Sequence, residues 1–254
     1  MRKAIGVIPA RYVSKRFPGK ALANLLGKPI IQHIYERAKG AKFLDYLVVA
    51  TDDERIYDCV RSFGGNALMT SPEHPTGTDR IAEVVSDVDC ETVVNIQGDE
   101  PLLKPEVVDS LVESLSLDKQ LNMSTAACSI ESPEELRDTN IVKVVTDNSG
   151  FALYFSRAPI PYSLDNLSKE VSRVFSTNSY RPLKHIGVYA YRKDFLLRFA
   201  KLPQTPLETQ EHLEQLRALE NGEKIKVTLC DYHPVAINLP EDIPKVAEML
   251  RAAL

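Results

Sequence analysis

The stretch AIGVIPARYVSKRFPGKAL, residues 4–22, sets the frame for the whole chain. Its first part, AIGVIP (4–9), is an apolar run closed by a proline and reads as a strand buried on both faces. The loop that follows carries Arg11, Lys15, Arg16 and Lys20, with Gly19 allowing close backbone approach. No Asp or Glu occurs before Glu36, although the chain as a whole has a net charge of -4. A local cationic loop on a mildly acidic protein suits a small anion better than a nucleic acid, whose binders usually show a basic excess.

Working outward, YLVVA (46–50), ALM (67–69) and TVVNIQ (92–97) repeat the buried-strand pattern. Between them, 29–39, 53–63, 78–88 and 105–115 carry apolar residues at helical spacing. Pro29 and Pro105 are expected in first turns, Thr78 as an N-cap, and Gly64-Gly65 as a stop. This alternation predicts an α/β fold with a mostly parallel sheet covered by helices on both sides. After about residue 120 the rhythm changes. MSTAACSI, VKVVTD, FALYFSR and HIGVYAYR are strand-like runs with fewer helices between them. They predict a smaller antiparallel lobe within about 120–200. Residues 163–182 read as a polar loop, 207–221 as one helix, 225–230 as a strand and 240–254 as a terminal helix. At 254 residues, 44% of them hydrophobic, the chain is expected to form a single domain, 1–254, with a sizeable core.

Other function classes are disfavoured. Cys59, Cys90, Cys128 and Cys230 form no CxxC pair, and His33, His74, His185, His212 and His233 lack metal-ligand spacing. No apolar stretch approaches the ~20 residues of a membrane span. The run after Arg2-Lys3 is too short for a signal peptide, so a cytoplasmic protein without membrane partners is expected.

In open α/β sheets ligands bind outside the carboxyl ends of the strands, and three polar clusters fall there. The basic loop lacks the spacing of a Walker A or G-x-G-x-x-G loop, yet its cations and amides suit a triphosphate. Otherwise it is a solvated surface loop. In NIQGDEP (95–101), Asp99 and Glu100 follow a buried strand through Gly98. Such a strand end either offers a carboxylate to Mg²⁺, which takes one or two carboxylates plus phosphate oxygens, or is a tight acidic turn. TGTDR (76–80) leads into a helix N-terminus, as many helices do.

Together IPARYVSKRFPGK, VVATDDERI, TSPEHPTGTDRIAEVV, VVNIQGDEP, ALYFSRAPIP, HIGVYAYR, LEQLRALENGEKI and LPEDIPKV resemble, in order, the signatures of the 3-deoxy-manno-octulosonate (Kdo) cytidylyltransferases. The resemblance runs from residue 4 to about 250. It implies a Rossmann-like nucleotidyltransferase sheet whose smaller antiparallel lobe binds sugar and dimerises. It also implies CTP and Kdo as substrates, CMP-Kdo and pyrophosphate as products, a role in lipopolysaccharide synthesis, Mg²⁺ as cofactor and a homodimer.

By the same resemblance Arg11, Ser14, Arg16 and Lys20 face the nucleotide, with Arg16 and Lys20 on the triphosphate. Thr78 and Arg80 lie near the cytosine. Gln97, Arg157, His185, Tyr189, Glu214 and Gln215 line the sugar pocket, and Asp99 holds Mg²⁺. Arg157 is a suitable fork for the sugar carboxylate. Glu211 is expected one helical turn from Glu214 and Gln215. Without the resemblance, His185 reads as a core histidine.

Two positions depart from the family pattern. Ala21 stands where the family usually has proline. Asn238 stands where the family has an aspartate as second metal ligand, in AINLPEDI against Val-Asp-Thr-Pro-Glu-Asp. Asparagine keeps an oxygen but loses the charge. Two alternatives follow: the same chemistry on an 8-amino Kdo analogue, or a CTP-binding homologue with weakened catalysis.

Overall fold

The computed structural model describes residues 2–14, 16–162 and 181–252. Lys15 and nearly all of the loop expected at 163–182 lie outside the described residues. Strand β1 (Arg2–Ala10) is followed by a 3₁₀ turn (Lys20–Leu22) and a short ribbon of β2 (Asn24–Leu25) and β3 (Lys28–Pro29). Then come α1 (Ile30–Ala38), β4 (Tyr46–Thr51), α2 (Glu54–Ser62), β5 (Ala67–Met69), α3 (Gly77–Val85), β6 (Cys90–Asn95) and α4 (Pro105–Leu117). The second half supplies β7 (Met123–Ser129), α5 (Pro133–Arg137), β8 (Lys143–Thr146), β9 (Ala152–Ser156) and β10 (Leu183–Arg192). It ends with α6 (Lys193–Phe199), α7 (Pro206–Glu211), α8 (Gln215–Glu220), β11 (Ile225–Leu229) and α9 (Asp242–Ala252).

Among the described residues the main sheet runs β11-β7-β10-β6-β1-β4-β5. Strand β1 lies inside it, parallel to both β4 and β6. Its alternation assigns the two faces. Ala4, Ile8 and Ala10 pack with α1, α2, α4 and α9, whereas Ile5 and Val7 pack with α3, α6 and α8. Both faces are therefore covered, which is why the strand is apolar throughout. Each fully buried Ile or Val there contributes about 1.5–3 kcal/mol of burial energy.

The expected antiparallel strands are present and divide into two groups. β7 and β10 enter the main sheet, with β10 antiparallel to both β6 and β7. They belong there because each has two apolar faces: Ala126 and Val188 pack on one side, Ala127 and Tyr191 on the other. Only β8 and β9 form an antiparallel extension, attached through Leu183 and Lys184 of β10.

Three local expectations change. Pro29 precedes α1 rather than lying in it, with an extended ψ of 146°. Thr76, not Thr78, caps α3, because Asp79 three residues on reciprocates to close a capping box. The expected helix 207–221 breaks at His212, whose φ of 53° is left-handed. Glu211 thus leaves the helical face of Glu214 and instead takes hydrogen bonds from Ser156 Oγ (2.6 Å) and Arg157 N (2.9 Å).

Candidate active site

The basic loop closes on itself where β1 ends. Gly19 N–H donates to the Tyr12 carbonyl at 2.8 Å. Gly19 sits at φ 71°, and a Cβ there would lie 3.2 Å from the Tyr12 ring, so glycine is required twice over. The Arg55 guanidinium stacks on the same ring, 3.3 Å from its centroid. Arg55 is itself gripped by Asp53, with Nε–Oδ1 at 3.0 Å and Nη2–Oδ2 at 2.6 Å. That hydrogen-bonded pairing holds the Asp53 carboxyl below its ordinary pKa. Sequence reasoning missed Tyr12 and Arg55, because an aromatic and an arginine 43 positions apart carry no spacing signal.

Each described cation of the loop already has an acceptor in the chain. Lys20 Nζ donates to Asp99 Oδ2 and to the Ile237 carbonyl, both at 3.0 Å. Arg16 Nη2 donates to Asn238 Oδ1 at 2.8 Å. Arg11 donates to the carbonyls of His74 and Thr76. These three side chains are thus tied to the chain, Arg16 while remaining exposed. Mutual repulsion is eased by chain oxygens, of which only Asp99 brings a charge. Ser14 Oγ accepts from Phe17 N at 3.4 Å.

These elements meet around a cavity of about 200 Å³ lined by Arg11, Ser14, Lys20, Gln97 and Asp99. The cavity is tight at Gly98, where a Cβ would come within 3.0 Å of the Pro9 carbonyl. That contact brings the end of β6 against the end of β1. Ala21 also lines the cavity and is 5% exposed.

Beside Asp99, Glu100 is buried and accepts from Tyr232 OH at 3.3 Å. Burial, with the Asp99 charge adding to it, pushes its carboxyl up to about 8.

A second polar group lies over the face carrying α3 and α8. Thr78 Oγ1 donates to Glu214 Oε2 at 2.5 Å. His185 Nε2 shares a 2.8 Å hydrogen bond with Thr125 Oγ1, and its ring contacts Phe155 and Tyr189. Burial pushes His185 down to about 3, so it is neutral and offers hydrogen bonds rather than charge. Burial also raises Glu214, against the opposing pull of Thr78 and Arg217. Burial, aided by the Glu214 charge, raises Tyr189. Gln215 is 3% exposed and its Nε2 has no partner. Gln97 joins the two groups: a Cβ on Gly187 of β10 would sit 3.7 Å from its Cγ.

Two expected residues are bound up within the chain. Arg80 has a fully buried side chain, ion-paired to Asp52 at 2.8 Å and hydrogen-bonded to Thr70 Oγ1. Here it ties α3 to the end of β4. Arg157 donates to the carbonyls of Glu211 (2.8 Å), Thr139 (3.0 Å) and His212 (3.5 Å), fixing β9 to the break before α8. The planar, multi-donor guanidinium groups of both suit such joints as well as they suit ligands.

Comparisons with known proteins bear on the family and the fold. The cytidylyltransferase family pattern matches residues 5–225. The chain is 53% identical over 245 residues to a 3-deoxy-manno-octulosonate cytidylyltransferase of Syntrophotalea carbinolica, covering 96% of this chain and 97% of that one. It is 48% identical over 248 residues to one of Geobacter metallireducens, with 98% of both covered. A solved CMP:2-keto-3-deoxy-manno-octonic acid synthetase complexed with CTP superposes with a TM-score of 0.91 at 40% identity, over 99% of this chain and all of that one. A cytidylyltransferase from Leptospira borgpetersenii, 15% identical with a TM-score of 0.65, shares the fold alone. On this near full-length agreement of sequence and fold, the chain belongs to the 3-deoxy-manno-octulosonate cytidylyltransferase family.

Proposed function

We propose that this chain transfers the cytidylyl group of CTP to the anomeric hydroxyl of Kdo, giving CMP-Kdo and pyrophosphate. The observation that carries this reading is the meeting of Arg11, Lys20, Gln97 and Asp99 around one cavity where β1 and β6 end. The hydroxyl oxygen attacks the α-phosphorus and pyrophosphate leaves on the opposite side, so positioning and charge neutralisation are the main requirements. Arg16 is held by an amide oxygen, and Lys20 partly by a carbonyl. Hydrogen bonds to an ionised phosphate are roughly twice as strong as those to neutral oxygens. An entering triphosphate therefore displaces these acceptors. The neutral His185 and the hydroxyl of Tyr189 offer hydrogen bonds to the sugar.

The residues present fit Mg²⁺ brought in on a polyphosphate. Among the described residues no group of three or more His, Cys, Asp or Glu could hold a metal by itself. Asp99 is a partly exposed carboxylate on the cavity wall, and Asn238 adds a neutral oxygen beside Ile237. One carboxylate plus phosphate oxygens is a usual Mg²⁺ set. When bound, the ion would neutralise phosphate charge and make the sugar hydroxyl more acidic.

A consequence concerns Asn238, whose Oδ1 holds Arg16. Asn238→Asp is expected to lower the Mg²⁺ needed for half-maximal turnover by about tenfold, the worth of one added charge near the ion. A magnesium titration of initial rates checks this, and an unchanged midpoint contradicts it.

Supply of Kdo for lipopolysaccharide, a cytoplasmic location and a homodimer belong to the same proposal, on family grounds. Among the described residues no helix is long and apolar enough to cross a membrane. The experiment is pyrophosphate release on mixing the protein with CTP, Kdo and Mg²⁺, with the 8-amino analogue in parallel. CTP binding without release would overturn the proposal, and faster release with the analogue would change the substrate.

A further inference from the structure

Three buried polar atoms around the second group lack any hydrogen-bond partner: Asn95 Oδ1, Glu214 Oε1 and Gln215 Nε2. Glu214 and Gln215 are already placed in the sugar pocket, but Asn95 is not. It ends β6, is 4% exposed, and lies in register with Tyr189 of β10 and Val7 of β1.

Strand alternation fixes which way Asn95 faces. Val94 and Ile96 pack on the side of α1 and α4, while Val93 packs on the side of α3 and α8. Asn95 therefore shares the second face with Val93, and Gln97 follows two residues on. On β10, Ile186, Val188 and Ala190 pack on the first side and Tyr191 on the second, with Tyr189 against it. Gly187 and Tyr189 thus lie opposite Gln97 and Asn95. Gly187 keeps this corner open, since nothing comes nearer to a Cβ there than Gln97 Cγ at 3.7 Å. Asn95 sits one step deeper than Gln97, beside a tyrosine and at the inner end of the open corner.

A buried amide oxygen without a partner costs the fold its full desolvation penalty. Native proteins seldom keep such atoms without a reason. Here the reason is at hand: a polyhydroxylated substrate brings donors to a corner that has an idle acceptor. We propose that Asn95 determines sugar specificity, its Oδ1 accepting a hydrogen bond from a hydroxyl of the sugar acid. This rests on the function proposed above.

The test uses Asn95→Leu, which is close in shape and removes the idle acceptor. In the ligand-free protein it is expected to raise Tm by about 2–6 °C, because the desolvation penalty disappears. It is expected to raise the KM for Kdo by about tenfold or more, since a site loses discrimination with a lost hydroxyl partner, and to leave the KM for CTP within about twofold. Asn95→Asp keeps an oxygen in place and is expected to hold the KM for Kdo nearer the wild-type value. A lower Tm, failure of the leucine variant to fold, an unchanged KM for Kdo, or equal losses in both variants would each overturn the proposal. Each of these means that the amide serves the fold, through an ordered water or otherwise. Wild-type turnover is measured first. If it is absent, the proposed function fails on its own, while the ligand-free Tm still reports whether the idle acceptor burdens the fold.

Discussion

Lys20→Ala is expected to lower kcat/KM by about 10³, with most of the loss in kcat, as for other cations that neutralise a transferring phosphoryl group. Lys20 is the only described side chain that bridges Asp99 and the 237–238 segment, through Oδ2 and the Ile237 carbonyl. In the proposed reaction it would meet the negative charge that accumulates as pyrophosphate departs. The fold should tolerate the change. The ion pair is partly exposed, at 19% for Lys20 and 28% for Asp99, and such pairs are worth about 0–1 kcal/mol. Steady-state pyrophosphate release, together with a thermal melt, separates the two effects. A large drop in Tm with kcat preserved would assign Lys20 to the fold. Lys20→Arg should not restore the rate fully, because a planar fork cannot occupy the position of a compact ammonium.

Glu100→Gln is expected to flatten the dependence of stability on pH. The folded protein holds this carboxyl at about 8 through burial and the neighbouring Asp99 charge, against an ordinary value of 4.5. The folded state therefore keeps the proton more tightly than the unfolded chain. The resulting stability is fully present below pH 4.5 and is lost as pH rises through 8. Between these limits the loss is about 1.4 kcal/mol per pH unit. Glutamine cannot ionise and removes this slope while keeping an acceptor for Tyr232. Urea unfolding of both proteins at pH 5, 6, 7 and 8, with chelator present, gives the difference directly. Glu214, also raised by burial, contributes alike to both and cancels. Parallel profiles would show that Glu100 ionises normally.

The first half of the fold was legible because its strands are continuous apolar runs bounded by breakers, and its helices carry clean 3.6-residue spacing. In the second half, apolar pattern says that MSTAACS and LKHIGVYAYR are strands but not which neighbours they choose. That choice depends on long-range pairing of β10 with β6 and β7, which no local signal encodes. The break at His212 was hidden because its neighbours keep helical composition. A left-handed backbone at the non-glycine His212, followed by Leu213 and Glu214, separates α7 from α8. In the site, Arg11, Lys20 and Asp99 drew attention because charge and glycine stand out at strand ends, whereas Gln97 was placed by resemblance. Arg80 and Arg157 were placed by resemblance alone, and charge by itself does not separate a guanidinium that meets ligand from one that braces backbone. Asn95 escaped because a single amide at the end of a buried strand looks like an ordinary strand terminus.

The contact between Arg16 and Asn238 has a kinetic consequence. An aspartate at 238 would pair with the guanidinium and cancel its field at short range. The amide holds the side chain in place but leaves its charge uncompensated, so the mouth of the cavity stays positive on a protein whose net charge is -4. A polyanionic nucleotide approaching such a mouth is drawn in by long-range attraction, and its association rate should fall as salt shortens the reach of that field to about 8 Å at physiological ionic strength. Stopped-flow CTP binding at increasing salt should show a steeper decline for this chain than for its Asn238→Asp variant. On the proposed Mg²⁺ reading, part of what the amide gives up in metal affinity then returns as speed of nucleotide capture.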